Sequence, residues 1–146
     1  NICRSPMAEA VFQHLVDQAG LSDQIEVDSA GTNAVNRGGP AHPGTRDVLH
    51  RRGIAYEGRA RQVSLADVDE ADYLIAMDYE NLDTLKRATW PRDLNGKLHL
   101  LLDFAPEIST HEVPDPICDG KFENVYSLVE AGCRGLLDHI RAEHNL

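Results

Sequence analysis

The chain has 146 residues, 42% apolar and 26% charged, with a formal net charge of −10, so it has room for one cored domain and no basic footprint for nucleic acid. Any anion site must therefore be local, built from a few Arg side chains and backbone amides. No apolar run approaches the length of a membrane span. Cys3, Cys118 and Cys133 stand at wide spacings that fit neither a disulfide framework nor a zinc site, and this points to a reducing cytoplasm.

The first element is a helix over Met7–Ala19, with Ser5 suited to the N-cap and Pro6 to the first helical position. Ala8, Val11, Phe12, Leu15 and Ala19 share one face, and Gly20 is a natural stop. Ile25–Ala30 is short and partly β-branched and reads as a strand ending at Gly31. A Gly- and Pro-rich loop over Thr32–Pro43 leads into a helix that runs to about Arg52 and closes at Gly53.

Ser64 opens one or two helical turns to Glu70. Tyr73–Met77 is a near-continuous apolar run, as expected of a strand covered on both faces. Asn81–Ala88 reads as a helix and Lys97–Leu102 as a second buried strand. After a loop holding Val113-Pro114-Asp115-Pro116, apolar residues at 122, 125, 129, 133, 136 and 140 mark a long amphipathic helix, Phe122–Ile140. Cys133 falls on its core face. Gly132 and Gly135 each weaken that helix by about 1 kcal/mol.

Strands alternating with helices, without repeats or linkers, give an α/β three-layer sandwich in one domain over residues 1–146. The chain opens on a helix, whereas a helix that binds an anion normally follows a strand. The expectation is a four-stranded parallel sheet in the flavodoxin-like order 2-1-3-4, with its first strand missing from this sequence.

Asn1-Ile2-Cys3-Arg4-Ser5-Pro6 is a tight loop running into a helix start, where unpaired amides and the macrodipole favour anions. Arg4 adds a planar, permanently charged fork that matches phosphate oxygens. Taken alone, an arginine there also fits a plain surface position.

The string NICRSPMAEA resembles the phosphate loop of the low-molecular-weight protein tyrosine phosphatases, whose motif is C-x-G-N-x-C-R-S-P. The resemblance continues through Val27-Asp28-Ser29-Ala30-Gly31-Thr32, Arg52-Gly53-Ile54, Ala60-Arg61-Gln62, Met77-Asp78 with Asn81, and Pro114-Asp115-Pro116, in the family's order. It implies hydrolysis of phosphotyrosine or small aryl phosphates through a cysteinyl-phosphate, with inorganic phosphate released and no metal or other cofactor. No nucleic-acid or membrane partner is implied.

In that resemblance Arg4 binds the phosphate and follows it to the transition state. Asn1 holds the loop in shape, with Ile2 beside it. Ser5 donates to the thiolate, and Ser29 ties into the same network. Cys3 matches the family's second cysteine, so the nucleophile falls three positions before Asn1. Asp115 matches the general acid, and Pro114 and Pro116 restrict the backbone around it. Asp78 and Asn81 fit two roles, near the site or capping the following helix. Arg61 and Gln62 match a segment that reads as structural.

The chain departs from the family at the substrate wall. Ile117 and Cys118 stand where aromatics are usual after Asp-Pro, and Val35 where a Trp or Tyr is common. Gly58 replaces a family histidine two positions before Ala60. Arsenate reductases share the fold and loop but need further redox cysteines after the third strand, and residues 77–97 contain none. Phosphoarginine phosphatases carry threonine where Ile2 stands. A phosphate-binding module without a nucleophile is the remaining alternative.

Overall fold

A computed structural model describes residues 3–31, 38–117 and 119–146. Its elements are helices α1 (Arg4–Gln18), α2 (Pro43–Arg51) and α3 (Leu65–Glu70), strand β1 (Leu74–Ala76), helix α4 (Tyr79–Ala88), strand β2 (Leu98–Leu100), a 3₁₀ turn (Leu101–Phe104) and helix α5 (Phe122–His144). The two strands pair in parallel, with Leu74 opposite Leu98, Ile75 opposite His99 and Ala76 opposite Leu100.

The alternation of side chains along a strand divides the core between two faces. Ile75 packs toward the large cluster that α1, α2, α5 and the 3₁₀ turn build around Met7, Val16, Val48, Leu101, Val125 and Val129. Leu74 and Leu98 turn the other way, onto Val68, Leu85 and Leu94 from α3, α4 and the loop before β2. The described chain is thus an α/β assembly with helices on both faces of a parallel sheet.

Local chemistry explains several element ends. Ser64 and Asp67 form a capping box at α3: the Asp67 amide donates to Ser64 Oγ at 3.2 Å, and the Ser64 amide to Asp67 Oδ2 at 2.8 Å. Helix α4 begins at Tyr79, ahead of the expected Asn81, because Asp78 is the residue that caps it. Helix α5 runs past Ile140 to His144 and stops at Asn145, which takes the left-handed conformation.

Three expectations are corrected. Ser5 is not an N-cap: Cys3 occupies that position, and α1 already includes Arg4, Ser5 and Pro6. Pro6 is accommodated because amides of the first turn have no intrahelical acceptor. Residues 25–30 form no strand among the described residues. Their continuation makes one parallel bridge, Gly31 to Gln62, and no neighbouring strand offers 25–30 a ladder. The second buried strand ends at Leu100, since Leu101 and Leu102 turn inward to the helical layer.

The glycines of α5 also read differently in three dimensions. A Cβ on Gly132 would lie 2.6 Å from Leu101 Cγ, and one on Gly135 would lie 1.7 Å from the Phe104 carbonyl oxygen. Their helix-propensity cost admits the 3₁₀ turn against the helix. Gly135→Ala gains about 1 kcal/mol of propensity, yet it must displace backbone, an overpacking cost of about 1–3 kcal/mol. Urea denaturation is expected to show net destabilisation; a stabilised variant would contradict this contact.

Candidate active site

Helix α1 presents its N-terminus where β1 ends, the end of a parallel sheet at which ligands bind in α/β folds. Arg4 lies in the first turn and is 6% exposed. Its Nη1 donates to Asp78 Oδ2 at 2.6 Å and to the Val113 carbonyl at 2.8 Å. Asp78 lies two positions beyond the end of β1, and its other oxygen accepts the Asn81 amide at 2.8 Å. The two roles open for Asp78 are therefore filled at once: it caps α4 and holds Arg4.

Val113 is fully buried, and its amide donates to the Met77 carbonyl at 2.9 Å. The strand end at Met77–Asp78 and the segment leading to Asp115 are thereby joined through the same guanidinium. Asp115 follows Val113 by two positions and is exposed, with its Oδ1 accepting the Ile117 amide at 3.1 Å. Pro116 is buried behind it, while Ile117 projects with 55% exposure.

Cys3 is the N-cap residue and is buried. Thr45, fully buried near the start of α2, donates its hydroxyl to the Cys3 carbonyl at 3.0 Å and fixes the approach to α1. Burial chiefly, and the charge of Asp115 next, push the Cys3 thiol up to about 11 against the opposing effect of Arg4. Cys3 is a thiol at neutral pH, unlike the activated thiolates of catalytic cysteines. Cys133 is buried on α5, where desolvation raises its thiol as well.

Ser5 sits half-buried in the first turn of α1. Ser29 donates to Glu9 Oε1 at 2.6 Å, and Tyr56 donates to the same oxygen at 2.8 Å. Arg61 joins two segments, with Nη2 on Asp28 Oδ2 at 2.7 Å and Nη1 on Asp67 Oδ2 at 2.8 Å. The Arg61 fork, assisted by Ser64, holds the Asp67 carboxyl down to about 2. Asn1, Ile2, Val35 and Cys118 lie outside the described residues.

Sequence reasoning did not single out Glu9, Thr45, Tyr56 or the Val113 carbonyl. The first was legible in part, as an acidic residue one turn beyond Ser5 on the same helix face. Thr45, Tyr56 and Val113 act from distant segments, and no local pattern marks them. Among the described residues no group of three or more His, Cys, Asp or Glu side chains is placed to hold a metal ion, and no helix is long and apolar enough to cross a membrane.

An ion pair this buried makes its partners interdependent. Asp78→Ala leaves the Arg4 guanidinium without its counter-charge and is expected to destabilise the fold by about 3–5 kcal/mol. Asp78→Asn keeps the cap oxygen and is expected to lose less. Chemical denaturation of the two variants checks this, and a loss in Asp78→Ala below about 1 kcal/mol, typical of surface pairs, would mean that the guanidinium is not held as described.

The whole chain, residues 1–146, matches the family model described as low molecular weight phosphotyrosine protein phosphatase. It is 44% identical over 147 residues to the low molecular weight protein-tyrosine-phosphatase YfkJ of Bacillus subtilis, covering 100% of this chain and 94% of that protein. The crystal structure of YfkJ superposes with a TM-score of 0.94, covering 98% of this chain and 90% of that one. PtpA of Staphylococcus epidermidis, a low molecular weight protein-tyrosine-phosphatase, is 40% identical over 146 residues, 100% of this chain and 92% of its own. A Drosophila arginine phosphatase shares the fold at a TM-score of 0.88 and 31% identity, covering 97% of this chain and 92% of its own.

Proposed function

Because the chain belongs to the low molecular weight phosphotyrosine protein phosphatase family, we propose that it hydrolyses phosphotyrosine and related aryl phosphate monoesters through a cysteinyl-phosphate intermediate. The observation that carries this reading is the placement of Arg4. Its guanidinium is buried at the N-terminus of α1 and pinned by Asp78 and the Val113 carbonyl, two residues ahead of Asp115.

The nucleophile in this reading is a cysteine three positions before Asn1. Its thiolate attacks phosphorus while Arg4 and the amides at the start of α1 hold the phosphoryl oxygens, which gain charge in the transition state. The S–P bond forms as the P–O bond to the aryl group breaks. A phenol has a pKa near about 10, so Asp115 gives the departing oxygen its proton. Water then attacks the phosphocysteine, Asp115 takes its proton, and inorganic phosphate and the thiolate are regenerated. Cys3 stays protonated throughout, consistent with its raised pKa, and Asn1, Ile2 and Ser5 complete the loop.

The wall that meets the aryl ring is aliphatic at Ile117 and, in the same reading, includes Val35 and Cys118. It lacks the stacking of about 0.5–1.5 kcal/mol that an aromatic pair adds, so small aryl phosphates and phosphotyrosine proteins are met chiefly through the phosphoryl group. The absence of cysteine from residues 77–97 favours this reading over arsenate reduction. In the proposed architecture one domain spans residues 1–146, and a strand ahead of Asn1 lies beside β1, between it and residues 25–30, which find a ladder partner only there; this gives four parallel strands in the order 2-1-3-4. A cytoplasmic location is proposed from the wide cysteine spacing.

With the nucleophile-bearing protein, p-nitrophenyl phosphate is expected to be hydrolysed equally well with and without chelator; dependence on added metal would contradict the mechanism. Asp115→Asn is expected to slow esters of poor leaving groups by roughly 10²–10⁴-fold and those of good leaving groups far less. Equal slowing across a series of substituted phenyl phosphates would remove Asp115 from the acid role.

A further inference from the structure

Glu9 lies one turn after Ser5 on the same face of α1, and helical side chains lean toward the helix N-terminus. Its carboxylate therefore has the anion site within reach, where a negative charge opposes a phosphate. In the structure that carboxylate is held aside by two hydroxyls from separate segments. Tyr56 and Ser29 both donate to Oε1, at 2.8 and 2.6 Å. The Tyr56 ring packs against the edge of the main core, and both burial and the Glu9 carboxylate raise its phenol, which stays protonated as a donor.

The position of Tyr56 depends in turn on Gly58. A Cβ there would lie 2.2 Å from the Tyr56 hydroxyl oxygen, 2.4 Å from Cζ and 2.9 Å from Cε1. No other residue type leaves the ring its place. Ser29 is fixed independently of Tyr56: its amide donates to Asp28, Asp28 is gripped by Arg61, and the next turn of chain is sewn to it by Gly31–Arg61 and Val63–Gly31 backbone bonds of 2.8 and 2.9 Å.

We infer that Tyr56, admitted by Gly58, is a positioning residue for phosphate binding, which together with Ser29 clamps the Glu9 carboxylate away from the first turn of α1. Without the Tyr56 hydroxyl, one of the two donors is lost. Glu9 then turns toward Ser5 and sets its charge against the bound phosphate. The inference rests on the anion site proposed above, and it assigns Tyr56 and Glu9 a role in affinity for the phosphate dianion with no part in bond breaking.

Titration calorimetry with inorganic phosphate separates the two claims. The wild-type protein is expected to bind phosphate, and a wild type that does not bind overturns the anion site together with this inference. Tyr56→Phe is expected to weaken binding roughly three- to tenfold, the worth of one hydrogen bond, and Gly58→Ala to weaken it similarly by expelling the ring. Adding Glu9→Gln to Tyr56→Phe is expected to restore affinity to within about twofold of wild type, since the misplaced charge is gone. Should Tyr56→Phe fail to fold, Glu9→Gln alone tests the same point and is expected to bind phosphate at least as tightly as wild type. Unchanged affinity in Tyr56→Phe, or a double variant as weak as the single, overturns the clamp and leaves Tyr56 a packing residue only.

Discussion

The contact of Arg4 with Asp78 and with the Val113 carbonyl organises the end of the molecule where the chemistry is proposed. Those acceptors come from the exit of β1 and from the segment before Asp115, so one guanidinium ties helix, strand and loop together. A buried charge is tolerated only when paired and hydrogen-bonded. The same requirement explains why Asp78 serves both as the cap of α4 and as the counter-charge of Arg4. Both contacts use the two N–H donors of Nη1.

Around that point the molecule separates charges by small local devices, because its net charge of −10 opposes anion binding overall. Helix α1 supplies partial positive charge at its N-terminus. Glu9, the acidic side chain one turn from Ser5, is turned aside by Tyr56 and Ser29. Asp28 and Asp67 are tied to Arg61. Cys3 is kept as a neutral thiol by burial, even though it neighbours Arg4. The balance at Cys3 shows that proximity to a cation does not by itself make a thiolate; desolvation decides which cysteine is inert.

Much of this was legible in the sequence, and the boundary of legibility has physical causes. The long amphipathic stretch at 122–140 and the apolar run at 73–77 carry strong periodic or continuous signals, and both form the expected element types. Ser64 announced α3 because capping is chemistry between near neighbours. The strand expected over 25–30 failed because β structure depends on a partner that local sequence does not contain. Leu101 and Leu102 look like strand, yet burial toward α5 draws them into a 3₁₀ turn. Gly132 and Gly135 looked like weaknesses until the close approach of Leu101 and Phe104 gave them a purpose. At the site, Arg4 and Asp115 stood out through their motifs, whereas Thr45, Tyr56 and the Val113 carbonyl act across the fold and leave no local mark.

The central claim is that a phosphoryl group passes to a cysteine beside the Arg4 anion site. Rapid acid quench of the nucleophile-bearing protein during turnover of p-nitrophenyl phosphate, followed by peptide mapping with mass spectrometry, tests it most directly. The account predicts phosphate on a cysteine three positions before Asn1, with Cys3 unmodified. Phosphate on histidine, on a carboxylate or on Cys3, or a residue other than cysteine at that upstream position, would contradict it.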